Sequence, residues 1–328
     1  MGLSRKRYVI FSDVHYAGPA ETRRGLSEDK IKAPLYQKAF VSLYRNFLWL
    51  ADPVFHAKRI RPLITKINKL SPDEIIYLGD LSMDTGFVGI SDHASFESAE
   101  EFINLCHSEL SSPIRWVMGD HELGKTSIIG KIGGPRFESM SKWTDALNMP
   151  IHWSSKWNHW KLICLCSTLA AYPVYSPEFL PSELKAWEAA RQNHLSWIKD
   201  TFENISKEER VIIFCHDPSA LGYVSEIKEV REKMSQIAVT WVGHMHTSAV
   251  AQAAQILSGV PEVCSFGHSI RRFTVALNRA KVWRDFKMKL CPSPSGSELF
   301  RDGGFYEMTL FGEDDKQHPT CVFHPFPW

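Results

Sequence analysis

Tyr8-Val9-Ile10-Phe11-Ser12-Asp13-Val14-His15 is the stretch that decides the fold. It runs apolar from Tyr8 to Phe11 and then ends abruptly in Asp13-x-His15. A short apolar run closed by polar groups predicts a buried strand that feeds a site at its carboxyl end. Residues two apart on an extended chain point to the same side. Asp13 and His15 can therefore aim an oxygen and a nitrogen at one point. On its own this pair is half a site, because Asp-x-His also arises by chance in loops.

The same ending recurs along the chain. Glu74-Ile75-Ile76-Tyr77-Leu78 runs into Gly79-Asp80, and Pro113 to Met118 runs into Gly119-Asp120-His121-Glu122. Val211 to Cys215 ends in His216, and Ile237 to Val242 ends in Gly243-His244-Met245-His246. His159 to Ser167 reads as a further strand, with Val263 to Phe266, Gly304 to Phe311 and Cys321 to His324 as late ones. Between the runs lie helical patterns. Residues 93–110 carry apolar groups at Phe96, Ala99, Phe102, Ile103 and Leu105, and residues 181–205 open on Pro181-Ser182-Glu183. Strand, helix, strand with acidic ends predicts a layered α/β fold. The alternation does not choose between one doubly wound sheet and two stacked sheets.

Carboxylates and imidazoles gather at the ends of the apolar runs and are scarce inside them. Such donors suit manganese, iron, zinc, cobalt or nickel rather than calcium. Asp13, His15, Asp80, Asp120, His121, His216, His244 and His246 are too many for one ion. Two ions that share a bridging carboxylate are the economical solution.

The order Asp13-x-His15, Gly79-Asp80, Gly119-Asp120-His121-Glu122, His216, Gly243-His244-x-His246 resembles the calcineurin-like metallophosphoesterase superfamily, whose pattern is D-x-H, G-D, G-N-H-D/E, H, G-H-x-H. The blocks span residues 13–246 and are specific jointly, though weak singly. The resemblance implies a four-layer α/β/β/α sandwich and a dimetal-dependent phosphohydrolase. It implies that Asp13, His15 and His246 hold one metal, that Asp80 bridges, and that Asp120, His216 and His244 hold the second. It implies that His121 sits beside the scissile phosphate and stabilises or protonates the leaving group. Manganese is the first expectation for the two divalent ions, with iron, zinc or magnesium as alternatives. A phosphoester or pyrophosphate would be cleaved in line by a metal-activated water.

Two features depart from the pattern. Asp120 stands where the family has Asn, which adds a negative charge to the ligand set. Sixty-seven positions separate Asp13 from Asp80, wider than the family's usual spacing. The excess lies in residues 16–62, read as a helical insertion or cap over the site. Tyr36 to Leu50 is apolar and aromatic at mixed helical spacing. Residues 268–300 are read as a second cap element. Within them, residues 271–289 combine basic groups with Phe273, Trp283 and Phe286, either as a solvated helix face or as a contact for phosphate or a membrane surface.

The chain has 328 residues, is 44% apolar and carries a formal charge of +1 from 38 basic and 37 acidic side chains. That is an ordinary globular composition, read as one domain over 1–328. The balance argues against a protein held to nucleic acid by bulk charge. The seven cysteines are scattered and odd in number, which points to a reducing, cytoplasmic compartment rather than a disulfide framework. Cys164-x-Cys166 lies in an apolar run and is expected to pack in a core. No window reaches about 18 uninterrupted apolar residues, so no membrane span is expected.

The aromatic insertion and the basic segment favour a phosphate-containing substrate with an apolar part. In this they are similar in style to the UDP-2,3-diacylglucosamine pyrophosphatases of lipid A synthesis, which cap their dimetal site with apolar groups. The expected substrate is then a lipid-linked nucleotide such as UDP-2,3-diacylglucosamine, met at the periphery of the inner membrane. Phe47, Trp49, Arg271 and Arg272 are the candidate substrate contacts. A nuclease or cyclic-nucleotide phosphodiesterase on the same scaffold is the alternative enzyme. A non-catalytic metal-binding scaffold is the alternative of another class. It is disfavoured because every ligand position keeps a metal-binding side chain.

Overall fold

The computed structural model describes residues 4–25, 34–48, 53–127, 131–263, 268–294, 302–312 and 318–326. Its strands are β1 Arg5–Phe11, β2 Glu74–Tyr77, β3 Ile114–Trp116, β4 Trp153–Trp157, β5 Trp160–Leu165, β6 Arg210–Cys215, β7 Ile237–Val242, β8 Met288–Leu290, β9 Gly304–Phe311 and β10 Thr320–Pro325. They form two five-stranded mixed sheets, ordered β10-β9-β1-β2-β3 and β4-β5-β6-β7-β8. Two stacked sheets with helices on both outer sides make an α/β sandwich, which settles the choice the alternation left open.

The apolar runs of β1, β2, β6 and β7 are strands largely buried on both faces, as interior parallel strands are. In β1, Tyr8 and Ile10 face the second sheet; with Met308 of β9 they join Trp160, Leu162, Phe214 and Trp241 from that sheet. Val9 and Phe11 face the opposite way and pack under the helices with Ile64, Ile67 and Phe102. Polar ties cross between the sheets. Trp160 Nε1 donates to Phe311 O at 2.8 Å, and Cys291 Sγ donates to Ile10 O at 3.3 Å. Cys164 and Cys166 are buried, as expected.

β1, β2 and β3 run parallel in one sheet, and β5, β6, β7 and β8 run parallel in the other. The loops after β1, β2, β3, β6 and β7 are the ones that carry the carboxylates and imidazoles. Backbone bonds stitch these loops together. Asp13 N donates to Gly79 O at 3.0 Å, His15 N to Asp80 O at 3.2 Å, and Gly243 N to His216 O at 3.0 Å.

After β1 and the short helix Pro19–Arg24 come the helices Leu35–Leu48 and Pro53–Leu70. The last is the crossover to β2: Ile60, Leu63, Ile64 and Ile67 are buried in the core. Residue 62, the expected end of the insertion, falls inside this helix at a proline. The side chain of Phe47, all of Trp49 and the expected strand beyond Val263 lie outside the described residues, as do 295–300 of the second expected cap. Residues 271–289 are not one helix face. They comprise the end of helix His268–Asn278, a 3-10 turn at Ala280–Trp283 and β8, and Trp283 and Phe286 are buried. Among the described residues, no helix is long and apolar enough to cross a membrane.

Candidate dimetal centre

Two groups of side chains converge where the strand ends meet. Asp13, His15, Asp80 and His246 form one; Asp80, Asp120, His216 and His244 form the other. Within each group one donor atom per residue lies within 4.8 Å of all the others. Asp80 belongs to both. His15 Nε2 is 3.0 Å from His246 Nε2, and His246 Nε2 is 3.4 Å from Asp13 Oδ1. His216 Nε2 is 3.2 Å from Asp80 Oδ2 and 3.3 Å from Asp120 Oδ1. His244 Nδ1 is 3.3 Å from the same Asp120 oxygen.

The backbone is bent to make this possible. Asp13, His15, Asp80, His244 and His246 all have φ between 50° and 65°. Side chains with a Cβ seldom occupy that left-handed region, at a cost of order 1–3 kcal/mol each. Five such residues in one cluster turn five side chains back across the strand ends. Strain of this kind concentrates where geometry serves a site rather than stability.

Groups behind the donors fix their direction. His216 Nδ1 donates to Leu78 O at 2.8 Å, which leaves Nε2 for the site. His121 Nδ1 is 3.0 Å from Met83 O, and its backbone N–H donates to Asp80 Oδ1 at 3.0 Å. Glu122 is fully buried and accepts from Leu81 N at 2.6 Å, Gly119 N at 2.7 Å and Asp80 N at 3.0 Å. It clamps the turn that carries Asp80.

Charge in the cluster suits a cation. Burial would raise the Asp80 carboxyl, but His216 and His121 outweigh it and hold the group well below the usual range. Burial drives His15 and His246 well below the usual imidazole value. They are therefore neutral rings, the form that offers a lone pair to a metal. In the second group Asp80 and Asp120 outweigh burial and raise His216 and His244 instead, so a divalent ion there would take the place of those protons. Buried carboxylates and imidazoles at this spacing fit a pair of divalent ions.

A family model of calcineurin-like phosphoesterases matches residues 6–248, the span that carries every one of these donors. The chain belongs to the calcineurin-like phosphoesterase family. It is thus a metal-dependent hydrolase of phosphoesters by membership.

Among solved structures it is similar to a dimetal phosphatase from Danio rerio, at 11% identity and a TM-score of 0.50, over 97% of this chain and 98% of that one. It is also similar to GAP50, the anchor in the inner membrane complex of Plasmodium, at 13% identity and a TM-score of 0.43, over 97% and 84%. The first is a likeness of fold. Comparison with curated proteins gives no match.

The candidate substrate contacts separate. Arg272 reaches the phosphoesterase site: its Nη2 donates to Asp120 Oδ2 at 2.5 Å. Arg271 turns away and donates to the carbonyls of Val174 and Pro173, at 3.2 and 3.0 Å. Three residues near the site were not legible as such. Lys125 places its ammonium against His121 Nε2, Asp217 lies 3.9 Å from His244 Nε2, and Tyr175 donates its hydroxyl to Asp217. Asp217 follows His216 directly, so its position was the one signal available.

Proposed function

We propose that this phosphoesterase is a dimetal phosphohydrolase with the ligand roles the motif order implies: Asp13, His15 and His246 on one ion, Asp80 between the two, and Asp120, His216 and His244 on the other. The observation that supports it is the pair of four-donor groups that share Asp80. Divalent ions held there supply the charge that neutralises a bound phosphate and acidify a water for attack. The protein's own part is placement. Glu122 holds the Asp80 turn, and Met83 O and Leu78 O set the ring directions of His121 and His216. His121 and Lys125 together keep a hydrogen-bonded proton where a leaving oxygen would need it. Burial and then Lys125 push the His121 imidazole down to about 4, which favours the neutral ring at neutral pH.

A purified-protein screen tests this, with manganese, iron, zinc and magnesium against nucleotides, phosphodiesters and lipid pyrophosphates. Hydrolysis that requires an added divalent ion is expected. Less than one bound ion per chain and no hydrolysis would favour the non-catalytic scaffold. Activity that collapses with salt and needs DNA would favour the nuclease.

The substrate with an apolar part rests on a specific observation. Leu35, Tyr36 and Leu43 are 86, 71 and 60% exposed on the helix Leu35–Leu48, which follows the Asp13–His15 loop in sequence. Exposed apolar side chains on one helix suit an acyl chain or a membrane surface. Replacing Phe47 and Trp49 by serine should cut activity on an acylated substrate such as UDP-2,3-diacylglucosamine while sparing a small chromogenic phosphodiester. Equal loss on both would sink the lipid-linked reading.

A further inference from the structure

Asp120 is the one ligand position at which this chain carries more negative charge than the motif pattern of its family. Its two carboxylate oxygens face different ways. Oδ1 lies 3.3 Å from both His216 Nε2 and His244 Nδ1, within the second donor group. Oδ2 accepts from Arg272 Nη2 at 2.5 Å. Asp120 is 1% exposed and the Arg272 side chain 17%, so the charge pair is little screened.

The guanidinium is held from several sides. It lies over the Tyr175 ring, 4.5 Å from the centroid, and its Nη2 is 3.3 Å from the Tyr175 hydroxyl. That hydroxyl donates to Asp217. The neighbouring Arg271 ties the helix His268–Asn278 to the carbonyls of Pro173 and Val174. Residues 268–278 lie beyond the 6–248 span of the family match. An element outside the matched core thus delivers one positive charge to the one ligand that carries an added negative charge.

We propose that Arg272 is the positioning residue for Asp120. It takes up the second oxygen and cancels the added charge, so that the pair presents one oxygen and no net charge, as a neutral amide ligand would. This rests on the dimetal reading above. A carboxylate left alone would bind cation more tightly and repel an anionic phosphate. The pair keeps the site open to phosphate.

The charge balance can be tested in four proteins. Arg272→Gln leaves the pair at one negative charge, Asp120→Asn leaves it at one positive charge, and the double variant restores zero. Isothermal titration with manganese alone, and then with inorganic phosphate on the manganese-loaded protein, reads both affinities without turnover. One unit charge a few Å from the bound ion in a partly buried site should change either affinity by about tenfold or more. Arg272→Gln should bind manganese more tightly and phosphate more weakly. Asp120→Asn should do the reverse, and it reads the sign even if Arg272→Gln fails to fold. The double variant should return both affinities to near the wild-type values. Shifts of the same sign in both single variants would overturn the proposal. So would a double variant whose phosphate affinity stays low, because Arg272 would then be a direct phosphate clamp. A wild-type chain that binds no divalent ion contradicts the dimetal reading and this one with it. A wild-type chain that binds metal without the opposed shifts contradicts this one alone.

Discussion

His15 and His246 bring their Nε2 atoms to within 3.0 Å of each other across 231 positions of sequence. Both rings are buried, and Asp80 Oδ2 lies 3.7 Å from His15 Nε2. Lone pairs and carboxylate oxygens aimed at one point repel one another unless a proton or a metal ion lies among them, and an ion can meet all of them at once. A bound divalent ion should therefore stabilise the fold. At a hundredfold excess over its dissociation constant the gain is about 2.7 kcal/mol, which raises the melting temperature by a few degrees. Differential scanning fluorimetry with manganese, zinc and iron should show this shift, and His246→Ala should lose most of it. No shift with any of the three metals would contradict this account of the pair.

Gly79 should tolerate no side chain. Its φ is +103°, and a Cβ built there would meet Gly119 Cα at 2.7 Å and His216 Nδ1 at 2.8 Å. Gly79→Ala should cost roughly 2–4 kcal/mol, from backbone strain and crowding together. Urea unfolding measures it. A loss below about 1 kcal/mol would mean that the turns around Asp80 and Asp120 can part without penalty.

Glu122 accepts three backbone N–H bonds in the interior. Glu122→Ala leaves those donors buried and unpaired, at a cost of about 1–3 kcal/mol for each donor that water cannot reach. The variant should be clearly less stable, and activity should fall with it because the Asp80 turn loosens. Wild-type stability in urea unfolding would show that the clamp is dispensable.

His194 gives the fold a pH dependence that involves none of the candidate metal ligands. It is buried, its Nε2 accepts from Cys166 N at 3.2 Å, and its Nδ1 lies 3.0 Å from His152 Nδ1. Burial, with His152 adding to it, pushes the imidazole down to about 3. The unfolded chain takes up this proton near pH 6.5 and the folded chain does not. The contribution of His194 to stability is therefore complete above pH 6.5 and falls by up to about 1.4 kcal/mol for each pH unit below it. His194→Gln should flatten that slope between pH 5 and 6.5 in denaturant titrations. An unchanged slope would place the lost protons elsewhere.

Legibility followed the physics of each element. β1, β2, β6 and β7 are largely buried on both faces, so they show as unbroken apolar runs ending in polar groups. β3, which leads to Asp120, is a half-buried edge strand, legible because its apolar run continues through the buried Val117 and Met118. β4 was missed because Trp153-Ser154-Ser155-Lys156-Trp157 is an edge strand, and its residues range from half-buried to exposed. β8 has three residues, too few for any period. The Asp120–Arg272 pair joins positions 152 apart, and no local pattern encodes such a contact. Glu122 stands within the third motif, but its role is to bind backbone N–H groups, and that depends on the turn beside it.

We propose that these strand ends hold two ions joined through Asp80. Metal content per folded chain, measured by inductively coupled plasma mass spectrometry after manganese loading and desalting, tests it most directly. The wild-type protein should carry close to two ions per chain and Asp80→Asn at most one, because the shared carboxylate is lost to both donor groups. Two ions retained in folded Asp80→Asn, or none in the wild-type chain after loading with manganese, iron, zinc or magnesium in turn, would contradict it.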